Sequence, residues 1–114
     1  MGEIKNPHVR ELVQHLAESN PEQRIPLAVG GYFNDMAEAM KETYRVLSPG
    51  GVACFVVGNA VFPTAHVEVD MVLADIAQEV GFTVSGVWVA NARWANIEGV
   101  DRQPVRESII VLKK

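Results

Sequence analysis

The sequence Ser-Pro-Gly-Gly at residues 48–51 joins two segments with different hydrophobic periods, and it constrains the fold more than any other feature. Before it, apolar residues recur at helical spacing across residues 32–47. After it, residues 52–57 form an unbroken apolar run. Because proline cannot continue a helix and glycine tolerates a positive φ, the junction predicts that a helix over residues 32–47 ends there. The apolar run predicts a strand covered on both faces, as in the middle of a parallel sheet.

Helical and strand patterns alternate along the rest of the chain. We predict a first helix from Asn6-Pro7, a loop over residues 23–31, a third helix over 66–80, strands over 82–90 and 106–112, and a long polar connection over 91–105. A strand–helix–strand order implies a right-handed crossover between parallel strands. The predicted fold is α/β, with a three-stranded mixed sheet of two parallel strands and an antiparallel last strand. We expect a single domain, with an N-terminal helix and loop over residues 1–31 and the main unit over residues 32–114.

Composition restricts the class of protein further. The chain has 114 residues, of which 48% are hydrophobic and 21% charged, as expected for a small globular domain. Its net charge of −4 is uneven, because residues 1–81 carry −6 and residues 82–114 carry +2, which argues against a free-standing nucleic-acid binder. The polar start and the lack of a long apolar run predict neither a signal peptide nor a membrane span. The single cysteine, Cys54, is predicted to be a buried, reduced thiol of a cytoplasmic protein.

Several motifs together resemble a known family. They are Tyr32-Phe33-Asn34-Asp35-Met36-Ala37, residues 40–51 with the Pro-Gly-Gly junction, Val56-Val57-Gly58-Asn59, Leu73-Ala74-Asp75-Ile76-Ala77 with Gly81-Phe82, and Arg106-Glu107-Ser108-Ile109-Ile110-Val111-Leu112. In this order they resemble the C-terminal half of the class I S-adenosylmethionine-dependent DNA methyltransferases that modify exocyclic amines. The resemblance covers about residues 30–114.

The resemblance implies a partial Rossmann-like, three-layer fold. This chain would supply the fifth, sixth and seventh strands of a seven-stranded sheet, with the seventh inserted antiparallel between the other two. The family's Gly-rich donor turn has no counterpart here, because no G-x-G follows a predicted strand. Its catalytic motif with two prolines and an aromatic residue is absent too. S-adenosylmethionine is therefore expected to bind the complete enzyme and not this chain alone, and no catalytic residue is assigned.

Two groups of residues are candidates for the substrate side. Gly58 and Asn59 follow a predicted parallel strand, at the sheet end where open α/β folds place ligands, although a plain turn explains them equally well. The second group combines arginines with an aromatic residue, which suits phosphate contact and base stacking but also fits an ordinary surface loop. Its members are Arg93, Trp94, Arg102 and Arg106. The three histidines are too far apart in sequence to suggest a metal site.

Three functions are compatible with these observations. The first is the C-terminal portion of a DNA methyltransferase, inactive alone, which meets DNA only through the complete enzyme. The second is a non-catalytic interaction module that keeps part of the fold, and the third is a fragment of a small-molecule class I methyltransferase. In the first case the strand at residues 52–57 would have lost its parallel neighbour on one side, which leaves an apolar edge. We therefore expect residues 1–31 to fold over that surface, or the chain to bind an N-terminal methyltransferase half or a second copy of itself.

Overall fold

The computed structural model describes residues 6–19, 24–62, 65–97 and 100–114. Within these ranges the chain forms three helices and five strands. In chain order they are α1 (Pro7–Ser19), α2 (Arg24–Val46), β1 (Val52–Gly58), β2 (Ala60–Phe62), β3 (Ala65–Val67), α3 (Val69–Val80), β4 (Thr83–Ile97) and β5 (Val100–Lys113).

The first helix begins where the sequence predicts. Asn6 caps α1, because its side-chain Oδ1 accepts a hydrogen bond from the Val9 amide at 3.1 Å. The other end of the same side chain donates from Nδ2 to Glu79 on α3, at 2.8 Å. One residue therefore both starts α1 and holds it against α3.

The second helix begins earlier than predicted. The predicted loop over residues 23–31 is wrong, because α2 already starts at Arg24 and continues through Gly30-Gly31. Pro26 lies in the first turn, where backbone amides have no partner within the helix, so it does not interrupt the hydrogen bonding. Gly30 is buried, and packing offsets the low helix propensity of the glycine pair. The helix ends before the Ser-Pro-Gly-Gly junction, as predicted, and Gly50 has a φ of 83°.

The third helix is shorter than predicted. The small β2–β3 hairpin takes up the start of the region assigned to it, and α3 begins at Val69. Its end at Gly81 agrees with the prediction. Gly81 has a φ of 128°, and its amide donates to the carbonyls of Ala77 and Gln78.

The main sheet has the strand order β1-β5-β4, and both pairs are antiparallel. The predicted mixed sheet with two parallel strands is therefore wrong. The crossover through α3 does leave β1 and β4 running in the same direction, but β5 lies between them and pairs with both. The last strand is antiparallel beside its predecessor, as predicted, and lies between the other two strands, as the resemblance implied.

The predicted polar connection over residues 91–105 is also wrong. β4 and β5 form one long hairpin, whose pairing continues to Ile97 opposite Val100. Irregularities between Val84 and Gly86, between Val89 and Asn91, and between Ala95 and Ile97 shift the register. Each shift changes which residues face the same side, so the strand period of two is not visible in the sequence.

The hydrophobic core lies on one face of the sheet. Phe33 and Met40 of α2 and Leu73 of α3 pack there against Ile110 and Leu112 of β5, all at most 1% exposed. The described residues thus form two layers instead of the predicted three.

The other face of the sheet, the outer face, is largely uncovered in the described part of the chain. On β1, Val52 and Val56 are 55% and 73% exposed, and Trp88 on β4 is 64% exposed. Cys54 is exposed as well, so its predicted burial is wrong. The first helix packs against α2 and not against β1, so the expectation that residues 1–31 fold over the edge of this strand is not met for the described residues. No helix within the described ranges is both long and apolar enough to cross a membrane.

Candidate functional site

The structure places the six predicted site residues at three locations. Asn59 and Arg106 belong to a polar cluster at the start of α3, on the face that carries the core. Gly58 and Arg93 meet on the outer face. Trp94 and Arg102 lie further along the β4–β5 hairpin, beyond the end of β1.

The polar cluster is built around Asp70, the second residue of α3. Asp70 is 1% exposed, and its carboxylate accepts two hydrogen bonds from Arg106, from Nε at 3.0 Å and from Nη2 at 3.1 Å. The hydroxyl of Ser108 donates to the same carboxylate at 2.7 Å. Arg106 and Ser108 are two residues apart on β5 and therefore point to the same face of the sheet. The cluster thus connects the first turn of α3 to the central strand.

Asn59 completes this connection from the end of β1. Its amide donates to the Arg106 carbonyl at 3.1 Å, which extends the β1–β5 ladder by one bond. Its side-chain Oδ1 accepts from the Asp70 amide at 3.1 Å, where a residue at the helix start would otherwise act as cap. Glu68, which precedes α3, makes no side-chain cap. Asn59 therefore has a structural role here, since its backbone amide and its side-chain oxygen are both engaged.

The electrostatics of the cluster keep Asp70 ionised. Burial by itself raises the pKa of the carboxyl group. The hydrogen bonds from Arg106 and Ser108, the Arg106 charge and the Met71 amide outweigh this effect, and the pKa lies below its usual value. The same pairing raises the pKa of Arg106. The guanidinium, with a side chain 36% exposed, also approaches Glu68 at 3.8 Å.

On the outer face, Arg93 reaches over the end of β1. Its Nε lies 3.4 Å from Oε1 of Glu107. A β-carbon built on Gly58 would be 3.9 Å from Nη2 of Arg93, so the guanidinium passes above this glycine. The sequence expected both residues on the substrate side, and the structure does bring them together. The Arg93 side chain is 56% exposed.

The outer part of the β4–β5 hairpin extends past the last β1 pair, Gly58 with Glu107. We call residues 92–97 and 100–106 the arm. Trp94 on the arm is 59% exposed and is paired with Pro104 across the hairpin. The backbone of Arg102 lies on β5, and its side chain is not among the parts that the structure describes.

A cavity of about 310 Å³ opens beside Gly58, at the carboxyl end of β1. Its lining is apolar except for the Tyr32 hydroxyl, whose pKa is raised by burial. The lining residues are Ala28, Val29, Tyr32, Phe33, Gly58, Ala60, Val67 and Val69. Such a cavity can hold an apolar or aromatic group, but its lining has no pair of side chains that could act as general acid and general base.

This lining does not fit S-adenosylmethionine. A nucleoside-like donor with a charged amino acid group needs carboxylates or clustered backbone amides, whereas the cavity is bounded by aliphatic and aromatic groups. Among the described residues, no three His, Cys, Asp or Glu side chains are close enough together to hold a metal ion. We therefore assign no donor-binding or metal-binding role to this part of the chain.

Two members of the polar cluster, Asp70 and Ser108, were not predicted as site residues. Ser108 follows Arg106 at a spacing of two on a predicted strand, a pattern that places both on one face. That spacing, together with an acidic residue in the first turn of the preceding helix, is the signal from which the cluster could have been found. Asp70 pairs with residues that lie 36 and 38 positions further along the chain, so local sequence patterns do not reveal the pairing.

Comparison with known proteins finds partial similarity to a methyltransferase. The chain is 37% identical over 65 residues to the Type II methyltransferase M.AvaI of Nostoc sp. (strain PCC 7120 / SAG 25.82 / UTEX 2576), and equally to M.AvaI of Anabaena variabilis. This chain therefore has a methyltransferase-like relationship. The similar segment spans 57% of this chain and only 14% of the length of these relatives. No protein family model matches the chain, and no solved structure matches it.

Proposed function

We propose that this chain is the C-terminal portion of an S-adenosylmethionine-dependent DNA methyltransferase and does not transfer methyl groups by itself. The observation that carries the proposal is the 37% identity to M.AvaI over 65 residues. The small share of the relative that is matched supports a contribution to one part of an enzyme, with the donor site elsewhere.

The strand order agrees with this proposal. In this sheet the last strand lies between two earlier strands and is antiparallel to both. The resemblance implies the same order for the fifth, seventh and sixth strands of the complete enzyme. Strand order is set by the pattern of crossovers, and it is therefore more informative than the presence of helices and strands alone.

The proposed role for the outer face is contact with DNA. Arg93 is more than half exposed. Its guanidinium has five N–H donors, and Glu107 contacts the edge that carries Nε. Trp94, next in sequence, is exposed on the opposite face of the arm, because its pairing with Pro104 continues the register of Arg93 with Val105. Arginine can bind phosphate from the outer face, and an exposed aromatic ring on the arm can stack on a base that has left the duplex. Asn59 and Arg106 do not belong to this surface, because the polar cluster engages them.

A segment exchange tests the methyltransferase assignment. In a chimera, the 65-residue similar segment of the Nostoc M.AvaI is replaced by the corresponding segment of this chain. We expect transfer of a labelled methyl group from S-adenosylmethionine to duplex DNA, at a rate above that of M.AvaI carrying a glycine–serine linker of equal length there. A chimera that unfolds cooperatively near the temperature of M.AvaI but is no more active than the linker control would contradict the proposal.

A charge-matched pair of variants tests the DNA-contact surface. Arg93→Ala removes one positive charge on the arm, whereas Arg45→Ala removes one on α2, where Arg45 is also exposed and also pairs with a glutamate. In anisotropy titrations of the full chain with a labelled duplex at low salt, we expect weak binding that Arg93→Ala reduces. The slope of log affinity against log salt should fall by about 1 for that variant and not for Arg45→Ala. Equal effects of both variants would refute a DNA contact at Arg93.

The interaction module is the second candidate function. The exposed side chains of Val52, Val56 and Trp88 on one sheet face favour it, because monomeric proteins rarely leave a contiguous apolar patch uncovered. An inactive chimera together with a protein complex formed through this face would favour the module over the enzyme portion.

A further inference from the structure

Among the described residues, β1 is paired on one side only. It forms an edge of the main sheet, with β5 as its single partner strand there. Natural edge strands are protected from pairing with other chains by charged side chains, proline, bulges or very short length. β1 has none of these, because its sequence Val-Ala-Cys-Phe-Val-Val-Gly is uncharged and its register with β5 is unbroken over seven residue pairs.

The hydrogen bonds to β5 show which backbone groups face the open side. The amide of Asn59 donates to Arg106, and the carbonyl of Gly51 accepts from Lys114. Both residues have odd numbers, and in an antiparallel ladder alternate residues point their N–H and C=O to opposite sides. The even-numbered residues Val52, Cys54, Val56 and Gly58 therefore present their amides and carbonyls at the open edge.

The side chains of these even-numbered residues lie on the outer face. Val56 is paired with Ile109, which is paired in turn with Trp88, so the three form one apolar row across the sheet. Trp88 lies over Gly86, where an added β-carbon would be 2.8 Å from the indole Nε1. A strand added at the β1 edge would thus extend an apolar surface that already exists.

We propose that β1 pairs antiparallel with β1 of a second copy of this chain, about a two-fold axis at Phe55. In this register Val52 lies opposite Gly58 of the other copy, and Cys54 lies opposite its Val56. Even-numbered residues then face even-numbered residues, so the outward amides of each copy meet the outward carbonyls of the other. The two outer faces become one continuous surface on the same side of a six-stranded sheet.

The charges beside β1 favour this direction of pairing. Lys113 is the β5 neighbour of Val52, and Glu107 is the β5 neighbour of Gly58. Antiparallel pairing brings the lysine end of one copy to the end of the other at which Glu107 and Arg93 pair, so the lysine meets no net positive charge from these two residues. Parallel pairing would instead bring the two Lys113 side chains to the same end. Since β1 has no charged residue, no like charges are placed directly opposite each other.

The dimer is expected to be weak. A seven-residue edge gives a smaller contact than the roughly 800 Å² per partner that is usual for stable complexes. We therefore expect association that depends on protein concentration, with dimer at about 100 μM and mostly monomer at about 1 μM.

Sedimentation velocity of the full chain with two matched variants tests the proposal. Val56→Lys places a charge on the pairing edge, whereas Val46→Lys changes an exposed valine on α2, with 67% exposure against 73% for Val56. We expect the unaltered chain and Val46→Lys to shift to dimer with concentration, and Val56→Lys to stay monomeric. A monomeric unaltered chain, or equal association of both variants, would overturn the proposal.

Cross-linking tests the register. Val56→Cys places a thiol opposite Cys54 of the other copy, at the Cα separation of about 5.5 Å that suits a disulfide. With oxidised glutathione as the electron acceptor, this variant should form covalent dimers much faster than Val46→Cys, which also carries two thiols. Equal rates would exclude the proposed register.

Discussion

At the scale of single residues, Asp70 contributes most to holding the elements together. Its carboxylate is buried, yet it carries a charge because Arg106 and Ser108 both donate to it. Removing one partner of such a pair leaves the other charge without compensation, which costs more than the pair itself contributes. The cluster therefore stabilises the position of α3 on the sheet and takes no direct part in the proposed DNA contact.

Asp70→Asn tests this role through its pH dependence. We expect the variant to lower the free energy of unfolding by about 3 kcal/mol at pH 7. Because the folded pKa lies below the usual 3.8, the contribution of Asp70 is fully present above that pH and is lost as the pH falls through the folded pKa. Urea unfolding from pH 7 to 2 should show the difference between the unaltered chain and the variant shrinking below about pH 4.

The control for this experiment is Asp35→Asn, which changes an exposed aspartate on α2. Its unfolding free energy should stay within about 0.5 kcal/mol of that of the unaltered chain. A pH-independent difference for Asp70→Asn would show that shape, and not ionisation, explains its effect.

At the scale of elements, the helix ends depend on backbone geometry and on distant partners. The carbonyls of Tyr44 and Leu47 at the end of α2 accept hydrogen bonds from Nζ of Lys114, at 2.6 and 2.8 Å. The same ammonium lies 4.7 Å from the centre of the Tyr44 ring. Gly81 ends α3 against that ring, where an added β-carbon would be 3.1 Å from Cζ.

Two glycine substitutions separate backbone strain from packing. Gly50 and Gly81 both have positive φ, but a β-carbon at Gly50 would meet nothing within 4 Å. Gly50→Ala should therefore cost only the conformational strain, about 1–2 kcal/mol. Gly81→Ala should cost at least about 1 kcal/mol more, because the methyl group also displaces Tyr44. Thermal or urea unfolding measures both, and equal costs would show that the Tyr44 ring moves aside freely.

At the scale of the whole molecule, the uneven covering of the sheet matters most. In the described part of the chain, helices cover one face of the sheet, and the outer face and the β1 edge stay uncovered. A portion of a larger enzyme and a weakly self-pairing chain both account for this arrangement. The two proposals are tested separately, since the chimera reports on methyl transfer and sedimentation reports on the pairing of β1.

Much of the local structure could be predicted from the sequence. The cap at Asn6, the end of α2 near Pro49 and the end of α3 at Gly81 all depend on residues within one turn of the helix end, so the sequence predicts them directly. The start of α2 was missed because Pro26 and the Gly30-Gly31 pair indicate a loop when read locally, whereas tertiary packing overrides their low helix propensity.

Local sequence patterns were enough to predict where most helices and strands lie, whereas the substrate-side role of Gly58 and Arg93 stays a prediction. Three features depend on tertiary contacts instead: β5 separates β1 from β4, one sheet face is covered in the described part of the chain, and Asn59 and Arg106 hold α3 in place. Caps and periodicity act within a few residues, whereas the β1–β5 pairing and the buried ion pair join residues more than thirty positions apart, which local patterns do not encode.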